Sequence, residues 1–144
     1  MKAVSTVRGW HPNPDPLFAA VRTLGRYDQT GRWSAPIYDG DGWPDVLAPF
    51  AAELHRLAPW FTIVIAQGYR DGNACVDWHN DGQYARQAIL SLGATRPFGL
   101  RSAGTETTVW LRHGDLIEFP ASTDHRVPPC VADERCSLVL RAVG

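Results

Sequence analysis

The chain has 144 residues, 44% of them hydrophobic and 20% charged, a length and composition ordinary for one globular domain that buries roughly two-thirds of its unfolded surface. Fourteen basic residues against fifteen acidic ones leave a net charge of −1, so no global field draws in a polyanion, and any nucleic-acid contact must be local. No run nears the roughly 18 consecutive apolar residues of a membrane span.

The opening segment MKAVSTVRGWHPNPDP lacks the apolar stretch and cleavage site of a secretory signal, so a cytoplasmic location is expected. Cys75, Cys130 and Cys136 form no CxxC pair, which argues against a disulfide framework and a zinc ribbon, and they read as thiols. Lys2 is the only lysine, and an arginine-dominated set suits bidentate recognition of carboxylate or phosphate.

The first third reads as an irregular lead-in with two helices. Pro16 is placed to open a helix through Leu17, Phe18, Val21 and Leu24, with Gly25 as its stop. A second helix is expected from Pro44 through Val46, Leu47, Phe50, Ala51, Leu54 and Leu57, ending before Pro59. Between them RWSAPIYDGDGW has turn chemistry and reads as a loop.

From residue 61 the texture changes to short β-type runs at 61–67, 87–93, 97–102, 107–111, 115–119 and 135–143. Helices first and strands afterwards predict a mainly β, α+β fold: an antiparallel sandwich or barrel with helices on one side. The chain contains no repeat and no linker, so a single domain over 1–144 is expected, with 1–60 as lead-in and 61–144 as the β core.

Three elements carry chemistry. In Trp78-His79-Asn80-Asp81, a histidine and an aspartate stand two apart, which on an extended strand aims both at one face. His125 follows far downstream in FPASTDHRVPP; two histidines and one carboxylate make the facial triad of non-heme iron(II) oxygenases, with coordination positions left open. His11, His55 and His113 have no carboxylate two residues away in a comparable strand context and read as packing or surface residues. In RCSLVLR, Arg135, Ser137, Val139 and Arg141 share one strand face, while Cys136, Leu138 and Leu140 share the other. Two inward guanidinium groups need anions, and 2-oxoglutarate, with a carboxylate at each end, suits the pair. An edge strand with arginines facing water is the plain alternative.

In this order the motifs GYRDGNACVDWHNDG (68–82), GDLIEFPASTDHRVPP (114–129) and RCSLVLR (135–141) resemble the AlkB family of iron(II)/2-oxoglutarate dioxygenases, the nucleic-acid dealkylation enzymes. The resemblance covers the C-terminal half well and implies a double-stranded β-helix, or jelly roll. It also implies Fe(II) on His79, Asp81 and His125, with 2-oxoglutarate and O2 as co-substrates. By the same resemblance Tyr69 donates its hydroxyl to 2-oxoglutarate, Arg135 pairs with the distal carboxylate, Arg141 lies near the metal-bound end, and Gln67 stands where the family often has asparagine.

Gln83 occupies a place where many repair members carry an acidic residue that touches the base, and the short lead-in implies a reduced nucleotide-recognition lid. The expected reaction is oxidative demethylation of an alkylated base, single-stranded or flipped, with DNA repair as the implied setting and a monomer as the working form. Trp78, Gln83, Tyr38 and Trp33 are candidate substrate contacts. Hydroxylation of a small metabolite or protein side chain is the alternative, and a non-catalytic jelly-roll binding module the third reading.

Overall fold

The computed structural model describes residues 4–143, so Lys2 lies outside it. Ten strands and two helices follow in the order β1 (Ser5–Val7), α1 (Pro14–Val21), β2 (Arg32–Tyr38), α2 (Ala48–Leu57), β3 (Ile63–Tyr69), β4 (Val76–His79) and β5 (Tyr84–Gly93). Then come β6 (Arg96–Ser102), β7 (Thr105–Leu111), β8 (Leu116–Glu118), β9 (Asp124–Val127) and β10 (Arg135–Val143). All strand pairings are antiparallel, in a six-stranded sheet ordered β1-β8-β5-β10-β3-β2 and a four-stranded sheet ordered β4-β9-β6-β7.

The alternation expected in the last strand organises the layers. Cys136, Leu138 and Leu140 join Leu17, Val21, Leu47, Leu54, Val64 and Leu90 in an apolar layer between the helices and the larger sheet. The opposite face of that sheet, through Tyr69, Ile89, Ile117 and Val139, packs on Phe98, Leu100, Leu111 and Val127 of the smaller sheet. The result is a β-sandwich of jelly-roll type with the helices on one outer face.

Several boundaries differ from the sequence reading. Helix α1 starts at Pro14 and ends at Val21, because Thr23 and Leu24 donate to carbonyls three residues back and tighten the chain into a turn before Gly25. A 3-10 turn at Asp45–Leu47 precedes α2, which begins only at Ala48 with a proline in its first turn. The expected loop at 32–43 is a strand over its first seven residues. Pro36 is tolerated there because β2 is the sheet's edge and pairs with β3 alone. The short strands β1, β4 and β9 lacked a long enough apolar run to be seen.

Trp33 is a core residue, correcting its reading as a substrate contact. It is 5% exposed, lies on the helix side of β2, and is clasped by two glycines. A Cβ on Gly68 would fall 1.9 Å from its indole Nε1, and one on Gly25 2.2 Å from its Cδ2. Gly68→Ala therefore has to displace the indole, and urea unfolding should show a loss of roughly 1–3 kcal/mol or more, as for other overpacked cores.

Candidate active site

The floor of the site is a cross-strand pair. β4 lies against β9 with His79 opposite His125 and Val76 opposite Val127, three residues spanned on one strand against two on the other. This bulge turns Val76 and His79 to the same inner face, which plain alternation would not allow. The imidazole centroids are 4.2 Å apart, and His125 also packs on Phe98 and Phe119. Each Nδ1 lies 2.8 Å from a carbonyl, Asp77 for His79 and Thr123 for His125, which leaves Nε2 as the second polar atom of each ring; that of His125 faces Asp81.

Asp81 does not sit on the strand with His79, as the spacing suggested. β4 ends at His79, and Asp81 is carried by the following loop, whose Asp81 and Gly82 N–H groups both donate to the Ala121 carbonyl. One carboxylate oxygen, Oδ2, lies 3.2 Å from His125 Nε2 and accepts from Gln87 Nε2 at 2.9 Å; the other, Oδ1, meets Arg141 at 3.2 Å. Ligand atoms from His79, Asp81 and His125 lie within 4.8 Å of one another, a set that could hold one metal ion while leaving coordination positions open. Burial alone would raise the Asp81 pKa, but the bonds from His125 and Gln87 and the charge of Arg141 outweigh it and hold the carboxyl at about 2.

A cavity of about 120 Å³ opens beside this triad. Its wall includes Gln67, Tyr69, Arg135, Ser137 and Arg141, so the parity read in RCSLVLR holds. Arg135 is 1% exposed, donates from Nε to Ser91 Oγ at 3.0 Å, and lies over the Tyr69 ring at 5.0 Å; no carboxylate pairs with it among the described residues. Burial, and the nearby charge of Arg96, press its pKa downward. A fully buried guanidinium without an anion is the cradle a carboxylate ligand would fill. Arg141 differs: Gln87 Oε1 and Asp81 occupy it, so it steadies the Asp81 carboxylate. Gln67 Oε1 accepts from the Tyr69 and Ser137 hydroxyls, both at 3.4 Å, which leaves its amide N–H groups for another acceptor.

The sequence reading missed Gln87 and Arg32. Gln87 bridges Asp81 and Arg141 while 1% exposed, and a glutamine beginning the apolar run QAILSLG, on the same face as Ile89 and Ser91, was the signal for it. Arg32 lines the cavity from β2, hidden because that segment read as a loop.

The substrate candidates fare otherwise. Trp78 sits on the outer face of the smaller sheet between Arg101 and Arg126, at 4.3 and 4.6 Å from their guanidinium carbons. Tyr38 stacks on Trp43 near His55 and Phe61, away from the cavity wall. Gln83 is exposed in the loop after Asp81 and is not part of the cavity wall.

His11 faces Glu53, His55 lies in the aromatic cluster and His113 accepts from the Gly93 N–H, so none joins the site. All three cysteines are free, and burial pushes the Cys136 thiol up to about 12. No helix among the described residues is long and apolar enough to cross a membrane.

Because the folded Asp81 titrates below its unfolded value, its contribution to stability is complete above about pH 4 and is lost as pH falls toward 2. Urea unfolding at stepped pH should show a steeper loss between pH 4 and 2 in the native chain than in Asp81→Asn.

No curated protein sequence matches the chain. Among solved structures, an oxidoreductase of the 2OG-Fe(II) oxygenase family from Burkholderia pseudomallei superposes with a TM-score of 0.73 at 15% identity, covering 96% of this chain and 82% of that one. The structure of OsALKBH1 gives 0.69 at 13% identity, with 98% of both chains covered. A prolyl hydroxylase from Trichoplax adhaerens, in complex with a hypoxia inducible factor oxygen degradation domain peptide, gives 0.72 at 10% identity, covering 99% of this chain and 84% of that one. These likenesses establish the fold. The model of the 2OG-Fe(II) oxygenase superfamily matches residues 4–135, most of the chain. The chain is therefore a member of the 2OG-Fe(II) oxygenase superfamily, a dioxygenase whose cofactor is Fe(II) and whose co-substrates are 2-oxoglutarate and O2.

Proposed function

We propose that His79, Asp81 and His125 hold the Fe(II), that Arg135, Tyr69 and Gln67 receive 2-oxoglutarate, and that the enzyme removes alkyl groups oxidatively from nucleic-acid bases. The observation that carries the first two parts is the convergence of three ligand atoms within 4.8 Å beside a cavity whose buried end holds a guanidinium without an anion. Bound iron, with 2-oxoglutarate and O2, supplies the oxidation of a substrate C–H bond. The side chains do the rest. Carbonyl contacts at Nδ1 keep Nε2 of both histidines directed at the metal position, Arg141 and Gln87 keep Asp81 ionised and aimed, and Arg135 orients the diacid by its distal end. When the oxidised carbon is an N-methyl group, the hydroxylated carbon leaves as formaldehyde and the free amine remains.

The nucleic-acid part is supported by the AlkB-type order of motifs and by the exposed ring of His79, which offers a π face to a base. Arg126, over Trp78 on the neighbouring outer face, has no acidic partner among the described residues and is available to a phosphate. A second reading, hydroxylation of a metabolite or protein side chain, is favoured by one observation: Trp33, Tyr38 and Trp78, the expected base-stacking aromatics, are all absent from the cavity wall.

Two measurements test this. Adding Mn(II) to the metal-free protein should raise its melting temperature, with about 2.7 kcal/mol of stabilisation at a hundredfold excess over Kd, and His125→Ala should abolish that response. Incubation with Fe(II), ascorbate and 2-oxoglutarate should give succinate, with formaldehyde in step when a methylated single-stranded oligonucleotide is present. Succinate without oligonucleotide-dependent formaldehyde would favour the second reading. The absence of both metal-dependent stabilisation and succinate would overturn the site assignment.

A further inference from the structure

We infer that Arg32 is a second cationic anchor for the distal carboxylate of the co-substrate, making the deep end of the cavity a clamp of two guanidinium groups. The inference rests on the co-substrate reading above. In the larger sheet Arg32, Tyr69 and Arg135 stand abreast on β2, β3 and β10, because Tyr69 is the registered partner of both arginines. All three side chains line the cavity. The Arg32 guanidinium carbon lies 4.5 Å and that of Arg135 5.0 Å from the centroid of the Tyr69 ring.

A third guanidinium, Arg96, approaches the same ring at 5.4 Å but is already committed. It donates to the carbonyls of Asp71, Ala74 and Pro128 at 2.8 to 3.0 Å. Arg135 spends only its Nε, on Ser91 Oγ, and Arg32 is less committed still. The Arg32 Nε is buried without a hydrogen-bond partner, and neither arginine meets a carboxylate among the described residues. The nearest acid in sequence, Asp28, spends its side chain on Thr30 and on the Arg32 backbone N–H, not on the guanidinium.

Two like charges facing one phenol are poorly compensated by its ring alone. A single carboxylate, with two oxygens and about four acceptor sites, compensates both. The arrangement thus makes the deep end demand a carboxylate, and so discriminate dicarboxylic 2-oxo acids from monocarboxylic ones.

The test is calorimetric titration of the Mn(II)-loaded full chain, without oxygen, with 2-oxoglutarate and with 2-oxobutyrate, which keeps the 2-oxo acid head but lacks the distal carboxylate. Arg32→Gln should weaken 2-oxoglutarate binding roughly tenfold or more, the scale of a lost charge-assisted bond. It should leave 2-oxobutyrate within twofold of the native value, and Arg32→Lys should recover part of the loss. Circular dichroism melting checks the fold of each variant, and if the Gln form does not fold, the Lys form carries the test, with a smaller loss confined to 2-oxoglutarate. Arg32→Gln binding 2-oxoglutarate as the native chain does, while Arg135→Gln loses it, overturns this inference and leaves the parent reading standing. Equal loss of both acids also overturns it, since that marks a role only in supporting Tyr69. If the native chain binds no 2-oxoglutarate and Arg135→Gln changes nothing, the parent reading falls, and this one with it.

Discussion

Two guanidinium groups on one face of β10 have to be taken out of water, and the way each is compensated sets the character of the whole cavity. Arg141 is met by Asp81 and Gln87, an arrangement that neutralises it and at the same time pins the carboxylate in place and keeps it ionised. Arg135 receives only a serine hydroxyl and the face of the Tyr69 ring, so its charge is left to act inside the cavity. The cavity is therefore polar along its length, with imidazoles and a carboxylate toward one end and unspent cations at the other. An elongated diacid with a metal-chelating head has one favourable orientation in such a field.

Antiparallel register does most of the positioning. Tyr69 faces Arg135 on one side and Arg32 on the other, Gln67 faces Ser137, and Gln87 faces Arg141, so the polar groups of the cavity are cross-strand neighbours on one sheet face. The smaller sheet contributes the imidazoles by the same device, with the bulge in β4 supplying the one departure from alternation that brings Val76 and His79 inward together. The layering explains why the site opens where it does. Helices and leucines cover the other face of the larger sheet, leaving the sandwich interior as the place where polar side chains meet a ligand.

How much of this could be read from sequence follows from the range of the interactions. The bounds of β10 and its two faces were legible because Cys136, Leu138 and Leu140 alternate with Arg135, Ser137, Val139 and Arg141 over its first seven residues. The three candidate ligands and the arginine pair rest on spacing and residue type, which survive any uncertainty in strand boundaries, and the fold brings them to one cavity. Asp81 meets the two histidines through a loop held at Ala121 and not through strand alternation, which the two-residue spacing alone does not reveal. Arg32 was lost because Pro36 and the adjacent Gly-Asp run outweighed a short edge strand whose partner lies thirty residues on. The aromatics misled because a tryptophan's role depends on which face it takes. Trp33 alternates with Arg32, so placing one in the cavity sends the other into the core, and that choice needed the strand that went unseen.

The two sheets also divide the work in a way that bears on specificity. The charge anchors and Gln87 sit on interior strands β3, β5 and β10 of the larger sheet, each paired on both sides, while Arg32 belongs to its edge and His79 to the edge strand of the smaller one. An ion shared by His79, Asp81 and His125 would tie the smaller sheet to the loop that Gln87 and Arg141 hold from the larger, coupling metal binding to closure of the sandwich. The segments 80–83 and 120–123, which carry and hold Asp81, lie outside the strands, and Gln83 is exposed there. Changes at positions such as Gln83 leave the ladders of the cavity wall intact, so this loop can vary while the sheet keeps the cavity's polar groups in register.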